Sequence, residues 1–527
     1  MDDQMKSGQQ VSLLRVLGPG MAVAIVVGNV IGSGIFATPG GIAADGRGFP
    51  LIISAWIFGG VLSLLGGLCF AELGAMLPRA GGMYVYLKHA YGRPVGYLQG
   101  WTQFIFGNPG SLGALSIIFV AHLGEVLYPE SATGISRAAT LALSVSLIVG
   151  LAMVNIAGVL WGGWVQTLTT IFKAGVVLAV AVLPFCVTAG DQQAASMATL
   201  WSTALPMNDG TPGVASRFAV VLLAVMWAYN GWHGITPVAE EVREPGRNIP
   251  RALLIGVGIL TTLYVSANIA YHLVVPMEEM VLDENRKKVA VLLFDRLLGP
   301  VGGTLMAVGV MVSTFGAINS NLLLGPRVPF AMGRDDSLLH WLGAVSPRFR
   351  TPARAIAIQA LMGVVLLVSS TVLADTLTAE GAATSVFDLM TGYIVFSSSI
   401  FYMLAVGAVV VLRRKHPEWE RPFRVHWLIP TAYLVFYTWF LSHVLIGRPM
   451  EASIGIAMSL SGIPVLLAGI AWTRWRGKSV PGDIVEDESS TAGDRYPLPT
   501  EDKYGAAPPD DVSPGAVGED DGGSEDG

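Results

Sequence analysis

Two glycine-containing segments lie inside apolar stretches, where an opened backbone could bind a ligand. The first is Gly32-Ser33-Gly34 and the second is Asn230-Gly231. A glycine costs about 1 kcal/mol relative to alanine inside a helix, so both segments favour an opening that leaves N–H and C=O groups unpaired. A half-helix that begins near Ser33 would direct its positive end at an anion such as a carboxylate. Close helix packing is the alternative explanation for a glycine cluster, but two clusters at corresponding positions favour a binding site near the middle of a membrane.

The apolar stretch at about residues 164–189 contains a polar stripe that includes a charged residue. The residues of this stripe, at spacings of three and four, are Gln166, Thr169, Thr170 and Lys173, which places them on one face of a helix. A lysine near the bilayer centre costs about 2.5–3.5 kcal/mol, so Lys173 is expected to face the protein interior. Lys173 is either a proton carrier or a permanent cation in the place of a metal ion, and the sequence leaves both open. A further polar face, able to line the same cavity, consists of Ser313, Thr314, Asn319, Ser320 and Asn321.

The elements that position these residues must be membrane helices. The 527-residue chain is 52% hydrophobic and 13% charged, with a mean hydropathy of +0.57, whereas soluble proteins contain about 25% charged residues. We therefore predict an all-α polytopic membrane protein with twelve transmembrane helices. The apolar runs of spanning length lie at about 17–43, 51–77, 96–123, 138–158, 164–189, 216–239, 252–275, 301–331, 352–374, 385–412, 427–446 and 452–473.

The distribution of basic residues predicts the orientation of these helices. Most of the lysines and arginines outside the apolar runs lie in alternate loops, counted from the N-terminal segment, as in Arg413-Arg414-Lys415. Basic residues favour the cytoplasmic side, so both termini are expected in the cytoplasm and the protein in the plasma membrane. The N-terminus lacks a basic region and the first apolar run is too long for a signal peptide, so this run is interpreted as a retained helix.

Several classes of chemistry are not supported by the sequence. The two cysteines, Cys69 and Cys186, both lie in apolar runs, so neither a disulfide framework nor a cysteine metal site is expected. There is no His-Glu-x-x-His motif, no Gly-x-Ser-x-Gly motif and no complete phosphate loop. We therefore expect no enzyme activity, no metal, no cofactor and no nucleic-acid partner.

The chain divides into three parts by composition. Residues 1–14 form a cytoplasmic segment, residues 15–476 form the helical domain, and residues 477–527 form an acidic tail that is expected to be disordered. Within the domain, the repeats are predicted at about 15–190 and 214–412, followed by helices 11 and 12. Because each repeat holds an odd number of spans, the two would enter the membrane from opposite sides.

The motifs resemble those of the amino acid–polyamine–organocation (APC) superfamily, and within it the L-type amino acid transporter branch and its prokaryotic relatives. The resemblance covers about residues 12–475. It rests on Gly32-Ser33-Gly34-Ile35-Phe36 with Pro39, Phe70-Ala71-Glu72-Leu73, Pro78-Arg79-Ala80-Gly81-Gly82, Val165-Gln166 with Thr170 and Lys173, Ala228-Tyr229 with Gly231-Trp232, Glu240-Glu241 with Pro245 and Arg247-Asn248-Ile249-Pro250, and Arg421-Pro422-Phe423-Arg424. It implies a LeuT-type fold with 5+5 inverted repeats, in which helices 1 and 6 are interrupted.

The resemblance also implies roles for individual residues. The N–H groups of Ser33 and Gly34 would hold a substrate carboxylate, and the carbonyls of Val30, Trp227 and Asn230 would hold the α-ammonium group. Trp227 would be an aromatic gate, and Lys173 would replace a sodium site. The implied binding set is Val30, Ile31, Gly32, Ser33, Gly34, Ile35, Trp227, Ala228, Tyr229, Asn230 and Gly231, with Thr170, Ser313 and Asn319 lining the cavity.

The implied function is secondary active transport of amino acids, most simply neutral L-amino acids, without sodium. Exchange and proton symport both stay open. The alternatives are a membrane sensor that binds an amino acid without moving it, and a permease for polyamines or cationic amino acids. Two departures from mammalian relatives stand out: Asn230 replaces a glycine beside the substrate side chain, and no extracellular cysteine is present. We therefore expect no disulfide-linked heavy subunit; the expected partners are membrane lipid and the amino acid itself.

Overall fold

The computed structural model describes residues 13, 15–128, 135–187, 199–207, 211–335, 339–379, 386–447 and 449–475. This part of the chain is helical, and its extended pairings are isolated bridges between Leu17 and Val242 and between Gly48 and Ala204. The predicted tail at 477–527 and most of the predicted N-terminal segment lie outside the described residues.

The helices are numbered in chain order. The first half contains α1 (Pro19–Val30), α2 (Gly34–Ala37), α3 (Pro39–Gly46), α4 (Phe49–Met76), α5 (Met83–Tyr91), α6 (Arg93–Thr102), α7 (Asn108–Leu127), α8 (Arg137–Ala157) and α9 (Val159–Val187). The second half contains α10 (Val214–Tyr229), α11 (Pro245–Val274), α12 (Met277–Met280), α13 (Val289–Leu298), α14 (Pro300–Leu324), α15 (Arg327–Asp335), α16 (Ala353–Ala379), α17 (Val386–Lys415), α18 (Leu428–Gly447), α19 (Pro449–Leu460) and α20 (Gly462–Trp475).

Eleven helical segments within the described ranges are long and apolar enough to cross a bilayer. The ninth predicted run corresponds to α16, whose apolar part is the shorter helix Ala353–Ser369. The prediction of an all-helical, multi-pass membrane protein is therefore confirmed.

The first spanning segment is interrupted where the glycines predict it. α1 ends at Val30, and Ile31 has an extended backbone with ψ of 94°. Gly32 and Ser33 separate it from α2, a single turn of helix, after which Pro39 begins α3. The segment is thus a helix, a short opening, and two shorter helices in succession.

The sixth spanning segment is interrupted in a similar way. α10 ends at Tyr229, and Asn230 is extended with ψ of 141°. Gly231 has a φ of +102°, a conformation that glycine adopts without the steric cost of a Cβ atom. A 3-10 helical segment over Trp232–Glu241 follows, with a kink at Val238.

Neighbouring helices enclose both interruptions. α11 packs along α4, α14 packs along α7 and α9, and α1 contacts α9, α11 and α14. Behind the interruption of the sixth segment, the rings of Trp56, Tyr229 and Tyr264 pack together with centroids 5.2–5.8 Å apart. Such contacts between large buried rings fix the position of the adjacent backbone.

Candidate functional site

The two interruptions lie against each other. A Cβ atom at Gly34 would lie 2.7 Å from Cα of Ala228, so only a glycine permits this approach. The Asn29 side chain connects the same two segments, because its Nδ2 donates to the carbonyl of Gly231 at 2.7 Å. Ser320 of α14 donates to Asn29 Oδ1 at 2.7 Å and so fixes the orientation of this amide.

The first interruption leaves backbone N–H groups without a partner. Within the described part of the chain, the N–H groups of Gly32 and Ser33 donate to no other residue. Gly34 and Ile35 open α2, and the first N–H groups of a helix have no acceptor within it. This cluster of donors at a helix start is suited to bind a carboxylate.

The carbonyls at the first interruption are partly occupied. The Tyr264 hydroxyl donates to the carbonyl of Val30 at 3.1 Å, and the Ser313 hydroxyl lies 3.4 Å from the carbonyls of Ile31 and Gly32. A carbonyl oxygen has two lone pairs, so Val30 can still accept a bond from an ammonium group.

One cavity borders both interruptions. It is lined by Asn29, Val30, Gly32, Ser33, Gly34, Gly81, Met83, Gln99, Gln103, Gly107, Asn108, Ser111, Leu115, Trp227, Ala228, Asn230, Gly231, His233, Gly234, Pro237, Ala317, Asn321, Leu324, Gly325, Val328, Ile394 and Ser398. The described lining contains no aspartate, glutamate, lysine or arginine, so the wall is neutral apart from the imidazole of His233.

Eight of the eleven expected binding residues line this cavity, and three do not. Ile31 and Ile35 are completely buried in the core. Tyr229 belongs to the aromatic cluster, and its hydroxyl donates to the carbonyl of Trp56 at 3.2 Å. Because these three side chains pack away from the opening, they support the interruptions rather than border the cavity.

Lys173 lies behind α1, completely buried, whereas Leu168 on the same helix is 62% exposed. α9 therefore presents an apolar face outward and its polar stripe inward, as the cost of a charge in lipid predicts. Lys173 Nζ donates to the carbonyl of Gly28 at 2.5 Å. In an uninterrupted helix this carbonyl would accept from the N–H of Gly32, so Lys173 satisfies an acceptor that the interruption leaves free.

The polar residues around Lys173 bond mainly to backbone carbonyls. Thr170 donates to the carbonyl of Ala24 at 3.1 Å, and Asn319 donates to the carbonyl of Gly162 at 3.1 Å. Thr170, Ser313 and Asn319 stand outside the lining of the cavity described above, although the Ser313 hydroxyl lies against the carbonyls of the first interruption. Asn321 of the same polar face borders the cavity.

The third spanning segment, where the sequence indicates no individual site residue, supplies much of the polar wall. Between α6 and α7 the chain forms a π-helix over Gln103–Gly107, an irregularity common at functional sites. It brings Gln103, Asn108 and Ser111 to the cavity, and Gln103 Nε2 donates to Asn108 Oδ1 at 2.7 Å. The available signal was Pro109, which lacks an N–H and so disturbs the helix. His233 also lines the cavity and was not predicted from the sequence as a site residue.

Comparison with known proteins identifies the family of this chain. The amino acid permease family matches residues 17–470. The Asc-type amino acid transporter 1 of Mus musculus is 30% identical over 522 residues, covering 94% of this chain and 92% of the relative. The serine/threonine exchanger SteT of Bacillus subtilis (strain 168) is 31% identical over 458 residues, covering 86% and 96%. The large neutral amino acids transporter small subunit 2 of Mus musculus is 32% identical over 468 residues, covering 88% and 83%. The chain therefore belongs to the amino acid permease family, and it is a transporter of amino acids rather than an enzyme.

Proposed function

We propose that the protein moves neutral L-amino acids across the plasma membrane by alternating access, without sodium. The observation that carries this proposal is the meeting of two interrupted helices at one cavity, with unpaired backbone N–H groups at the first. Paired interruptions of this kind supply the substrate site of many secondary transporters.

The substrate is held by the opened backbone in this proposal. The N–H groups of Ser33 and Gly34 bind the carboxylate, and the carbonyls of Val30, Trp227 and Asn230 bind the ammonium group. Trp227 is half-buried on the cavity wall, a position suited to a gate. The absence of acidic residues from the described lining argues against the alternative of a polyamine or cationic amino acid permease, since a second positive charge would find no counter-ion.

Lys173 takes the place of a sodium ion in this proposal. Its Nζ occupies the position where a cation could coordinate the free carbonyl of Gly28. The coupling is either exchange or proton symport. In the first case Lys173 is a fixed charge, and in the second case it carries the proton.

We also propose the twelve-helix LeuT-type architecture with inverted repeats at 15–190 and 214–412, and cytoplasmic termini. The two interruptions lie in the first and sixth spanning segments, which are corresponding positions in such repeats. We propose no disulfide-linked heavy subunit, because Cys69 is buried in α4 and Cys186, although exposed, lies within the apolar spanning helix α9.

The position of the cavity is the one expected of an alternating-access transporter whose site opens toward the predicted cytoplasmic side. The cavity reaches Gly81, Pro237 and Val328, which adjoin loops predicted to be cytoplasmic. On the opposite side, a Cβ atom at Gly40 would lie 2.5 Å from the carbonyl oxygens of Met280 and Arg286. The connection over 275–288, which contains α12, is therefore in close contact with α3 at the predicted extracellular side.

The test is uptake of labelled amino acids into proteoliposomes, with an empty or preloaded lumen and with or without a proton gradient. Uptake that requires preloading identifies exchange, and uptake into empty vesicles driven by an inward proton gradient identifies symport. Binding without uptake of any amino acid would contradict transport and favour the sensor. Uptake restricted to lysine or polyamines would contradict the neutral substrate class.

A further inference from the structure

A tyrosine fixes the orientation of the amide at the second interruption. The hydroxyl of Tyr402, on α17, donates to Asn230 Oδ1 at 2.6 Å, and Tyr402 is 5% exposed. With its oxygen so occupied, the Asn230 amide turns its Nδ2 away from Tyr402. Within the described part of the chain Nδ2 has no acceptor, and Asn230 lines the cavity. Its two N–H groups are therefore available to a ligand.

His233 lies beside the same tyrosine. Its ring centroid is 5.0 Å from that of Tyr402 and 5.9 Å from that of Phe70, so aromatic contacts on two sides hold the imidazole. Its Nδ1 is buried without a hydrogen-bond partner among the described residues, although the residue borders the cavity. Ser398, also on α17, adds a hydroxyl to the lining.

We propose that Asn230, oriented by Tyr402, forms with His233 a hydrogen-bonding subsite for the substrate side chain, which selects neutral amino acids that carry a hydroxyl or a carboxamide. This inference rests on the proposed function and names the substrate class of the same site. Asn230 and His233 determine specificity, and Tyr402 is a positioning residue.

The subsite favours polar substrate side chains because leaving its own polar groups without hydrogen bonds costs free energy. A side chain that enters the subsite excludes water from the Asn230 amide. A hydroxyl or carboxamide replaces the lost bonds, whereas an apolar side chain of the same size leaves them unmade. A site built to hydrogen-bond its substrate rejects an analogue without the polar group far more strongly than an apolar pocket rejects an added hydroxyl.

Threonine and valine provide the sharpest test, because they differ by a hydroxyl in place of a methyl. In wild-type proteoliposomes we expect kcat/KM for threonine to exceed that for valine by at least about tenfold. Tyr402→Phe removes only the hydroxyl that orients Asn230, and we expect it to lower the threonine-to-valine ratio several-fold while alanine uptake continues. Tyr433→Phe is the matched control, since Tyr433 is a buried tyrosine that stacks on Tyr437 and does not line the cavity.

The outcomes separate this inference from the proposed function. A threonine-to-valine ratio near one in the wild type, or a ratio unchanged in Tyr402→Phe, would overturn the subsite while alanine uptake still upheld transport. No uptake of any amino acid by the wild type would overturn transport itself. If Tyr402→Phe is not recovered in folded form, Asn230→Gly serves instead, and it should lose the threonine preference and gain valine uptake.

Discussion

At the scale of single residues, glycines set the geometry of the site because side chains would occupy the space that the backbone needs. Gly34 is the clearest example, since its missing Cβ atom lets the two interruptions touch. Gly32, two positions earlier, has room for a Cβ atom, with its nearest neighbour at 3.7 Å. The two glycines of one motif therefore have different roles: Gly34 permits contact, and Gly32 favours the opening itself.

Gly34→Ala should therefore strongly reduce uptake. The added Cβ atom must displace the backbone at Ala228, and forcing extra volume into a packed site costs about 1–3 kcal/mol. We expect uptake to fall by about tenfold or more. Gly20→Ala is the control, because a Cβ atom at Gly20 of α1 meets nothing within 4 Å. Equal uptake by the two variants would show that the contact between the interruptions is dispensable.

Lys173→Ala tests the cation behind the site. Its removal leaves the Gly28 carbonyl buried without a partner, a loss of about 1–3 kcal/mol, so we expect a lower thermal midpoint. Any dependence of uptake on the proton gradient should also disappear. Thr167→Ala, which removes a hydroxyl bonded to Gly163 of its own helix, should change neither. A gradient dependence that survives in Lys173→Ala would identify Lys173 as a structural cation.

At the scale of elements, the two interrupted segments could be predicted from sequence, and the π-helix in the third could not. Glycine lowers helix stability locally, so Gly32-Ser33-Gly34 and Gly231 were visible in the sequence alone. The position of Lys173 followed from the cost of a charge in lipid. The partner of Lys173, and the side of α1 on which Thr170 and Asn319 lie, depend on packing between distant helices, which local sequence does not encode.

The contact between α3 and the connection over 275–288 predicts a conformational trap. A valine at Gly40 would collide with the carbonyls of Met280 and Arg286, whereas the neighbouring Gly41 has only the Arg286 side chain at 3.8 Å. We expect Gly40→Val to prevent closure on the predicted extracellular side, so that uptake is lost while equilibrium binding of substrate persists. Gly41→Val should retain uptake. Normal uptake by Gly40→Val would exclude this contact from the transport cycle.

Buried ion pairs hold the segments at the predicted cytoplasmic side. Arg327 Nε lies 2.9 Å from Glu241 Oε1, and both side chains are completely buried. Removing one partner of such a pair costs about 3–5 kcal/mol, so Arg327→Met should lower the thermal midpoint strongly. Arg247→Met breaks an exposed pair with Glu244 and should have almost no effect. Similar midpoints for the two variants would contradict a structural role for the buried pair.

At the scale of the whole molecule, the packing of the helices around α1 directs its unpaired backbone groups toward a cavity, where they can bind a transported substrate. The helices of the described part bury α1 on several sides, so its unpaired groups face a cavity rather than lipid. The neutral lining and the buried lysine then favour a neutral zwitterion without sodium. The family shown by the comparisons has the same function as the one inferred from these residues.

The central claim is that the N–H groups of Ser33 and Gly34 bind the carboxylate of a transported amino acid. Its most direct test is sodium-free uptake of labelled L-threonine into proteoliposomes in competition with unlabelled threonine or threonine amide. The amide keeps the ammonium group and side chain but lacks the carboxylate. We predict that threonine inhibits uptake and that the amide does so at least about tenfold less well. Equal inhibition by both compounds would contradict carboxylate recognition at this site.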